Sequence, residues 1–296
     1  MRRFSPRQAG FTLVEAIIVI AVIGIVGAIV AVFIRMPVQN YADSVARAEV
    51  TDEADLAMRR MARELRLALP NSIRVNADGS AAEFLLTKTG GRYLAVEDNL
   101  TTGQVLDFTD TSKTSVTVLG TLTQPINVGD FFVVYNLGNG MAPADAWGGG
   151  NIARITTAFA VDTKLPVLGL ASNPFASQSP PMPSPDRRFQ IVSGPVTFSC
   201  ATASDGALVL TRYAGYAINA TQVNPPTGAT SSAPLTRRVN NCAGLFAFDT
   251  AAGTTSSAQR TALVGITLEL AARTADGTAA TTSARLVQQV HVDNTP

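Results

Sequence analysis

Between Phe11 and Ile34 every position is apolar except Thr12, Glu15, Gly24 and Gly27. A run this long without a polar face cannot be told apart by periodicity, so its length decides. As an α-helix its 24 residues would reach about 36 Å, enough to cross a hydrocarbon layer about 30 Å thick. Beyond Arg35 the pattern becomes amphipathic. Val50, Ala54, Ala57, Met61, Leu65 and Ala68 recur every three or four residues, while Asp55 with Arg59 and Arg60 with Glu64 form i,i+4 pairs on other faces. Pro70 and Asn71 offer a stop. The predicted helix therefore runs from Phe11 to Leu69, about 88 Å if unbroken, with a kink expected at Pro37 just outside the apolar run. Its apolar stripe should pack on whatever follows.

After Pro70 the helical period gives way to short runs of β-forming residues between turn signals. Expected strands are Ile73–Val75, Ala82–Leu86, Val105–Phe108, Ser115–Leu119, Phe131–Tyr135, Ile152–Thr156, Phe189–Val192, Val196–Cys200, Ala207–Tyr213 and Leu245–Phe248. Thr261–Arg273 and Ala284–Val292 flank Asp276-Gly277, a hairpin signal. A glycine-rich stretch, Asn136–Asn151, and a proline-rich one, Asn173–Asp186, read as loops. The predicted fold class is α+β: a long N-terminal helix, its first half a membrane span, packed on an antiparallel sheet-rich body. That body covers residues 71–296, as one unit or as two lobes, 71–172 and 187–296.

Composition narrows the function. Charged residues make up 15% of the chain, below the roughly 25% of ordinary soluble domains, and the net charge is +1. No concentrated basic face is available for phosphates, which argues against nucleic-acid binding. With His291 as the single histidine and only two cysteines, a zinc site of the usual ligands lacks donors. There is no Gly-x-Ser-x-Gly elbow and no phosphate loop, because Lys88 precedes Gly90 and Gly91 rather than following them. His291 alternates with Val290 and Val292 and so is expected on the opposite sheet face. No catalytic residue is assigned and no cofactor is expected. Scattered Asp145, Asp162 and Asp186 leave calcium open as an oxygen-liganded ion without a dedicated loop.

The first ten residues, MRRFSPRQAG, carry Arg2, Arg3 and Arg7, which the positive-inside rule keeps cytoplasmic. A cleaved secretory signal fits poorly, since the apolar run exceeds the usual length and no small-x-small site follows it. Glu15 is the informative residue. A carboxylate within an apolar helix costs about 2.5 to 3.5 kcal/mol at the membrane centre and less near its edge, so it asks for a partner. A cut between Gly10 and Phe11 would supply an α-amino group nearby.

Gly10-Phe11-Thr12-Leu13-Val14-Glu15, after a short basic leader and before an apolar helix, resembles the processing site of type IV prepilins and type II secretion pseudopilins. The resemblance implies that residues 1–10 are a leader removed by a prepilin peptidase and that the new Phe11 amino group is N-methylated. It also implies that Glu15 serves assembly by meeting another subunit's N-terminus. Partners implied are other minor and major pilins, the peptidase and N-methyltransferase, and an inner-membrane assembly platform. The implied location is a single-pass inner-membrane protein with a periplasmic body, later placed in a pilus, at its tip for a subunit this large. Residues 11–34 then form the transmembrane and assembly helix, and 35–70 its amphipathic continuation. Further on, Arg188–Cys200, Leu210–Tyr216 and Gln289–Pro296 resemble biogenesis proteins of the mannose-sensitive haemagglutinin (MSHA) type IV pilus.

An oxidising periplasm predicts a structural disulfide between Cys200 and Cys242. Trp147, the only tryptophan, lies beside Asp145 in the glycine-rich stretch. An exposed ring there would anchor a partner, making Leu137–Ile152 the expected recognition loop, whereas a ring folded back would cover the core. A minor pseudopilin of the large J-like kind and a tip adhesin are the alternative readings.

Overall fold

A computed structural model describes residues 10–98, 102–248, 263–273 and 279–295. Helix α1 (Leu13–Leu65) occupies 53 residues, about 80 Å of continuous helix. Its start is chemically defined: Thr12 is the N-cap, with extended backbone, and its Oγ1 accepts the Glu15 N–H at 3.3 Å. The backbone stays helical through Pro37, so the expected kink is no break in the element. Missing one N–H costs a single rung, and the long turns on either side retain theirs.

The helix ends at Leu65, before the Pro70 stop. Leu67 and Ala68 N–H groups donate to Glu64 and Leu65 carbonyls in a tightened last turn. The chain then joins a sheet edge: Leu69 N–H donates to the Leu85 carbonyl at 2.7 Å, and Thr87 N–H to the Leu67 carbonyl at 2.8 Å. Those strand partners satisfy groups that another helical turn would have used, and Leu69 is completely buried there.

The body is antiparallel. In chain order its strands are β1 (Arg74–Val75), β2 (Ala81–Tyr93), β3 (Ser115–Leu119), β4 (Phe131–Val133), β5 (Ile152–Arg154), β6 (Val167–Gly169), β7 (Arg188–Thr202), β8 (Leu208–Ala214), β9 (Ser231–Thr236), β10 (Phe246–Ala247), β11 (Leu263–Arg273) and β12 (Ala279–His291). The larger sheet runs β5-β4-β7-β2-β3-β6, with β1 on β2, and β8 then β9 on the far part of β7. The smaller sheet is β10-β11-β12. Phe189–Val192 and Val196–Cys200, expected as two strands, are one. β2 continues opposite the intervening Gly194-Pro195, pairing Leu86 with Gly194 and Leu85 with Pro195. Val105–Phe108 is not a strand. β6 and β9 were not expected; β9 contains Pro234 and is an edge strand paired to β8 alone, where proline is tolerated. β11 and β12 pair antiparallel from Leu263↔His291 to Arg273↔Ala279, while the Asp276-Gly277 turn lies outside the described residues.

Two large cores share the long strands β2 and β7. One lies between α1 and the sheets, where Val50, Ala54, Ala57, Met61 and Leu65 meet Phe84, Phe198, Leu210, Phe246 and alternate β11 residues Val264, Ile266, Leu268 and Leu270. The other, away from the helix, gathers Tyr93, Val116, Val118, Phe132, Phe175, Phe189 and Ile191. Phe132 stacks on Phe189 at 4.9 Å and meets Phe175 edge-on at 5.9 Å. The Cys200–Cys242 disulfide, 42 residues apart in sequence, ties β7 to the segment that leads into β10.

Candidate functional site

One helix has two surfaces of opposite character. From Val50 to Leu65 a single stripe is buried against β-strands and the opposite face carries charge. From Leu13 to Phe33, 21 residues with a mean hydropathy of 3.2, nothing is buried within the chain. Phe11, Leu13, Ile20 and Phe33 each expose more than 70% of their surface. So large a bare apolar surface requires a covering of lipid or of other helices. Gly24 and Gly27 are consistent with that demand. A Cβ at either would meet nothing within 4 Å, so no contact inside the chain accounts for two glycines that weaken a helix.

At the start of this surface, Gly10 and Phe11 are exposed and non-helical. Gly10 also has open space around it, so the need for glycine there is not internal packing. Thr12 and Glu15 stand in the Ser/Thr-x-x-Glu relation of a capping box, which fixes the helix start two residues after Phe11. Glu15 therefore lies on the first helical turn, four positions after Phe11.

The body places the other expected residues as follows. Trp147 and Asp145 are not on a recognition surface: Trp147 is 3% exposed and Asp145 7%. The loop folds back. Trp147 Nε1–H donates to the Ser72 carbonyl at 2.9 Å, and the Asp145 carboxylate accepts the N–H groups of Trp147 and Gly140 at 2.9 and 2.8 Å. The carboxylate organises its own turn, and the ring closes the small core formed by Leu69, Leu85, Val133 and Val192. His291 is exposed between buried Val290 and Val292, on the face expected. Asp186 pairs with Arg188 at 3.1 Å. Among the described residues, Asp145, Asp162 and Asp186 do not come together, and no three His, Cys, Asp or Glu residues do.

The most buried charge among the described residues was invisible in the sequence. Arg74 Nε donates to Glu83 Oε2 at 2.7 Å, and its other nitrogens donate to the Ala220 and Asn219 carbonyls at 2.6 and 2.8 Å. Its guanidinium lies 3.7 Å from the centre of the Trp147 ring. Tyr216 Oη–H donates to the second Glu83 oxygen at 2.9 Å. Burial first, and then the Glu83 charge, push the Tyr216 hydroxyl far above its ordinary pKa, so it stays a donor. Only the β1↔β2 register, Arg74↔Glu83, brings this pair together, and residues nine apart carry no sequence signal for it. The cluster pins the helix-to-sheet junction and has a structural role.

A second charged group buckles the helix to the body. Arg212 Nε meets Glu64 Oε2 at 2.6 Å, and Arg238 faces Glu53 at 3.5 Å. The expected i,i+4 pairs also form, Asp55 with Arg59 at 2.8 Å and Arg60 with Glu64 at 3.5 Å.

Comparison of the chain with curated proteins and with solved structures gives no match. Residues 5–31 match the family model described as the prokaryotic N-terminal methylation motif, a region that holds Gly10, Phe11, Glu15 and most of the bare apolar surface. The match supports a precursor of the type IV pilin or pseudopilin kind, with a structural rather than an enzymatic part to play.

Proposed function

We propose that the chain is a minor pilin-like subunit of an MSHA-type type IV pilus, similar to the biogenesis protein MshO, acting where assembly starts or at the fibre tip. The observation that carries this reading is the single helix whose second half is packed into the body and whose first half is apolar and bare. A prepilin peptidase cuts after Gly10 and the Phe11 amino group is methylated. Residues 11–34 hold the subunit in the inner membrane with its body in the periplasm until the assembly machinery extracts it. In the fibre the same surface exchanges lipid for sister helices. Glu15 then faces the ammonium of a neighbour's first residue, which removes the cost of an unpaired carboxylate in an apolar bundle. The size of the body favours an end position over dense repetition along a thin fibre.

The test is Glu15→Ala in a strain that makes fibres. The expected result is a body with unchanged thermal stability and a loss of the subunit from sheared fibres. Normal incorporation of Glu15→Ala would contradict the assembly role. A minor pseudopilin of a type II secretion system would use the same helix in the same way, and the genes beside this one distinguish the two systems.

A further inference from the structure

One long strand edge of the body has no second neighbour among the described residues. Where the larger sheet ends in β5 and β6, the two ends bond each other: Thr156 N–H donates to the Gly169 carbonyl and Ala171 N–H to the Arg154 carbonyl, both at 2.8 Å. The β9 edge carries Pro234. β10 is closed by the turn before β2, where Phe246 N–H donates to the Gly79 carbonyl at 2.8 Å. β12 pairs with β11 alone. Bare strand edges invite pairing with another chain, and folds ordinarily blunt them with proline, bulges or charge. From Ser283 to His291, β12 has no proline and an unbroken register, and its one formal charge is Arg285.

The register says which backbone groups are free. Thr267 N–H donates to the Leu245 carbonyl, the Glu269 carbonyl accepts the Asn240 N–H, and Ala271 N–H donates to the Arg238 carbonyl. Odd-numbered β11 residues therefore turn their backbone groups away from β12, and the even-numbered ones bond to its even-numbered partners, Ala284 to Val290. What is left on β12 is the odd set. Ser283, Arg285, Val287, Gln289 and His291 direct N–H and C=O groups out of the sheet's edge.

Both side-chain rows are incomplete at this edge. On the helix side, Leu268 and Leu270 are completely buried, whereas Leu286 and Ala284 opposite them are only partly covered by the core they join. On the other side, Val287 exposes 65% of its surface. Arg285 stands opposite Glu269 without pairing to it: Glu269 accepts the Asn240 side-chain amide at 2.8 Å, and Arg285 makes no ion pair with a described residue.

We propose that the β12 edge takes an added strand from a different subunit. The occupant is an extended segment, apolar at alternate positions on the helix side, where it covers Ala284 and Leu286, with a carboxylate on the other face beside Arg285. The choice of a different subunit rests on the assembly reading above, in which an end position leaves no second copy alongside.

The test uses the full chain in cells that assemble fibres, with photoreactive benzoylphenylalanine in place of Gln289. Irradiation should join it to another subunit, within a segment whose apolar residues alternate. Val287→Pro in the same chain removes an outward N–H, so it should lower the adduct about tenfold while moving the melting temperature of the detergent-solubilised chain by less than about 4 °C. Leu286→Pro removes an N–H that bonds β11 and should lower the melting temperature by more than that. Arg285→Glu keeps every backbone group and should lower the adduct about threefold. An adduct unchanged by Val287→Pro overturns the proposal, as does one formed only with a second copy or within the chain, or a melting loss for Val287→Pro equal to that for Leu286→Pro. An adduct unchanged by Arg285→Glu overturns the carboxylate. No adduct from chains recovered in sheared fibres overturns the added strand and leaves the assembly reading standing; absence of the unsubstituted chain from fibres overturns both.

Discussion

The two halves of α1 share one backbone geometry and differ in where their apolar atoms go. Residues 50–65 bury a stripe against strands of both sheets, whereas residues 13–33 bury nothing in the chain. Helix formation is therefore common to both, and the pattern around the axis decides the partner. A one-sided stripe is satisfied by a folded body; a surface that is apolar all round is satisfied by lipid or by other such helices. The boundary between them is also the boundary between what this chain covers by itself and what lipid or other helices must cover.

The sharpest way to break the comparison is at the junction. Arg74→Ala leaves Glu83 buried without its cation and should cost the body about 3 to 5 kcal/mol, read by denaturant melts of the purified protein. A cost below about 1 kcal/mol would mean that solvent reaches the pair. Next come matched truncations on the two halves. Met61→Ala should destabilise the body by about 2 to 5 kcal/mol, because Met61 is completely buried, while Ile20→Ala should change body stability by less than about 0.5 kcal/mol. Equal effects would erase the distinction between the halves. Replacing both Cys200 and Cys242 by Ala should cost about 2 to 4 kcal/mol and leave the bare half of the helix unaffected.

The smallest expected effect is that of acid. Asp98 is held below its ordinary value of 3.8 by the Ala95 backbone N–H and then by Arg187 and Arg92. Asp107 is lowered by the Thr109 hydroxyl and Asp110 by the Ser112 hydroxyl. Asp78 and Asp205 are lowered by the backbone N–H groups of Ser80 and Ala207. Carboxyls with depressed values stabilise the fold fully above 3.8 and lose that contribution as pH falls below it. Melting temperature should be flat from neutral pH to about 5 and decline below about 4, through the body and not through the apolar half. A midpoint of decline near 6 would point to other groups.

Much of this was legible in the sequence, because it rests on local patterns. The apolar run shows in its length, and the Val50-to-Leu65 stripe, the Ser115–Leu119 strand and the alternation of β11 each repeat at a short period. Pattern failed where long-range pairing decides. Gly194-Pro195 reads as a break until β2 is placed opposite, and Ser231–Thr236, with its proline, reads as a loop until β8 lies beside it. The glycine-rich stretch read either as a recognition loop or as a cover for the core, because nothing in its own residues reveals Ser72 and Arg74 as partners for Trp147. At the N-terminus, Gly10, Phe11 and Glu15 were readable at once, since the feature they belong to is local and contiguous.

The central claim is that the exposed Gly10–Phe11 bond is cut to release a helix whose first residue meets Glu15 in an assembled bundle. Mass spectrometry of the protein recovered from fibres tests it most directly. The account predicts a chain beginning at Phe11 with a methylated amino group, and an uncut chain confined to membranes when the processing peptidase is removed. Assembled fibres containing the protein with residues 1–10 still attached would contradict it.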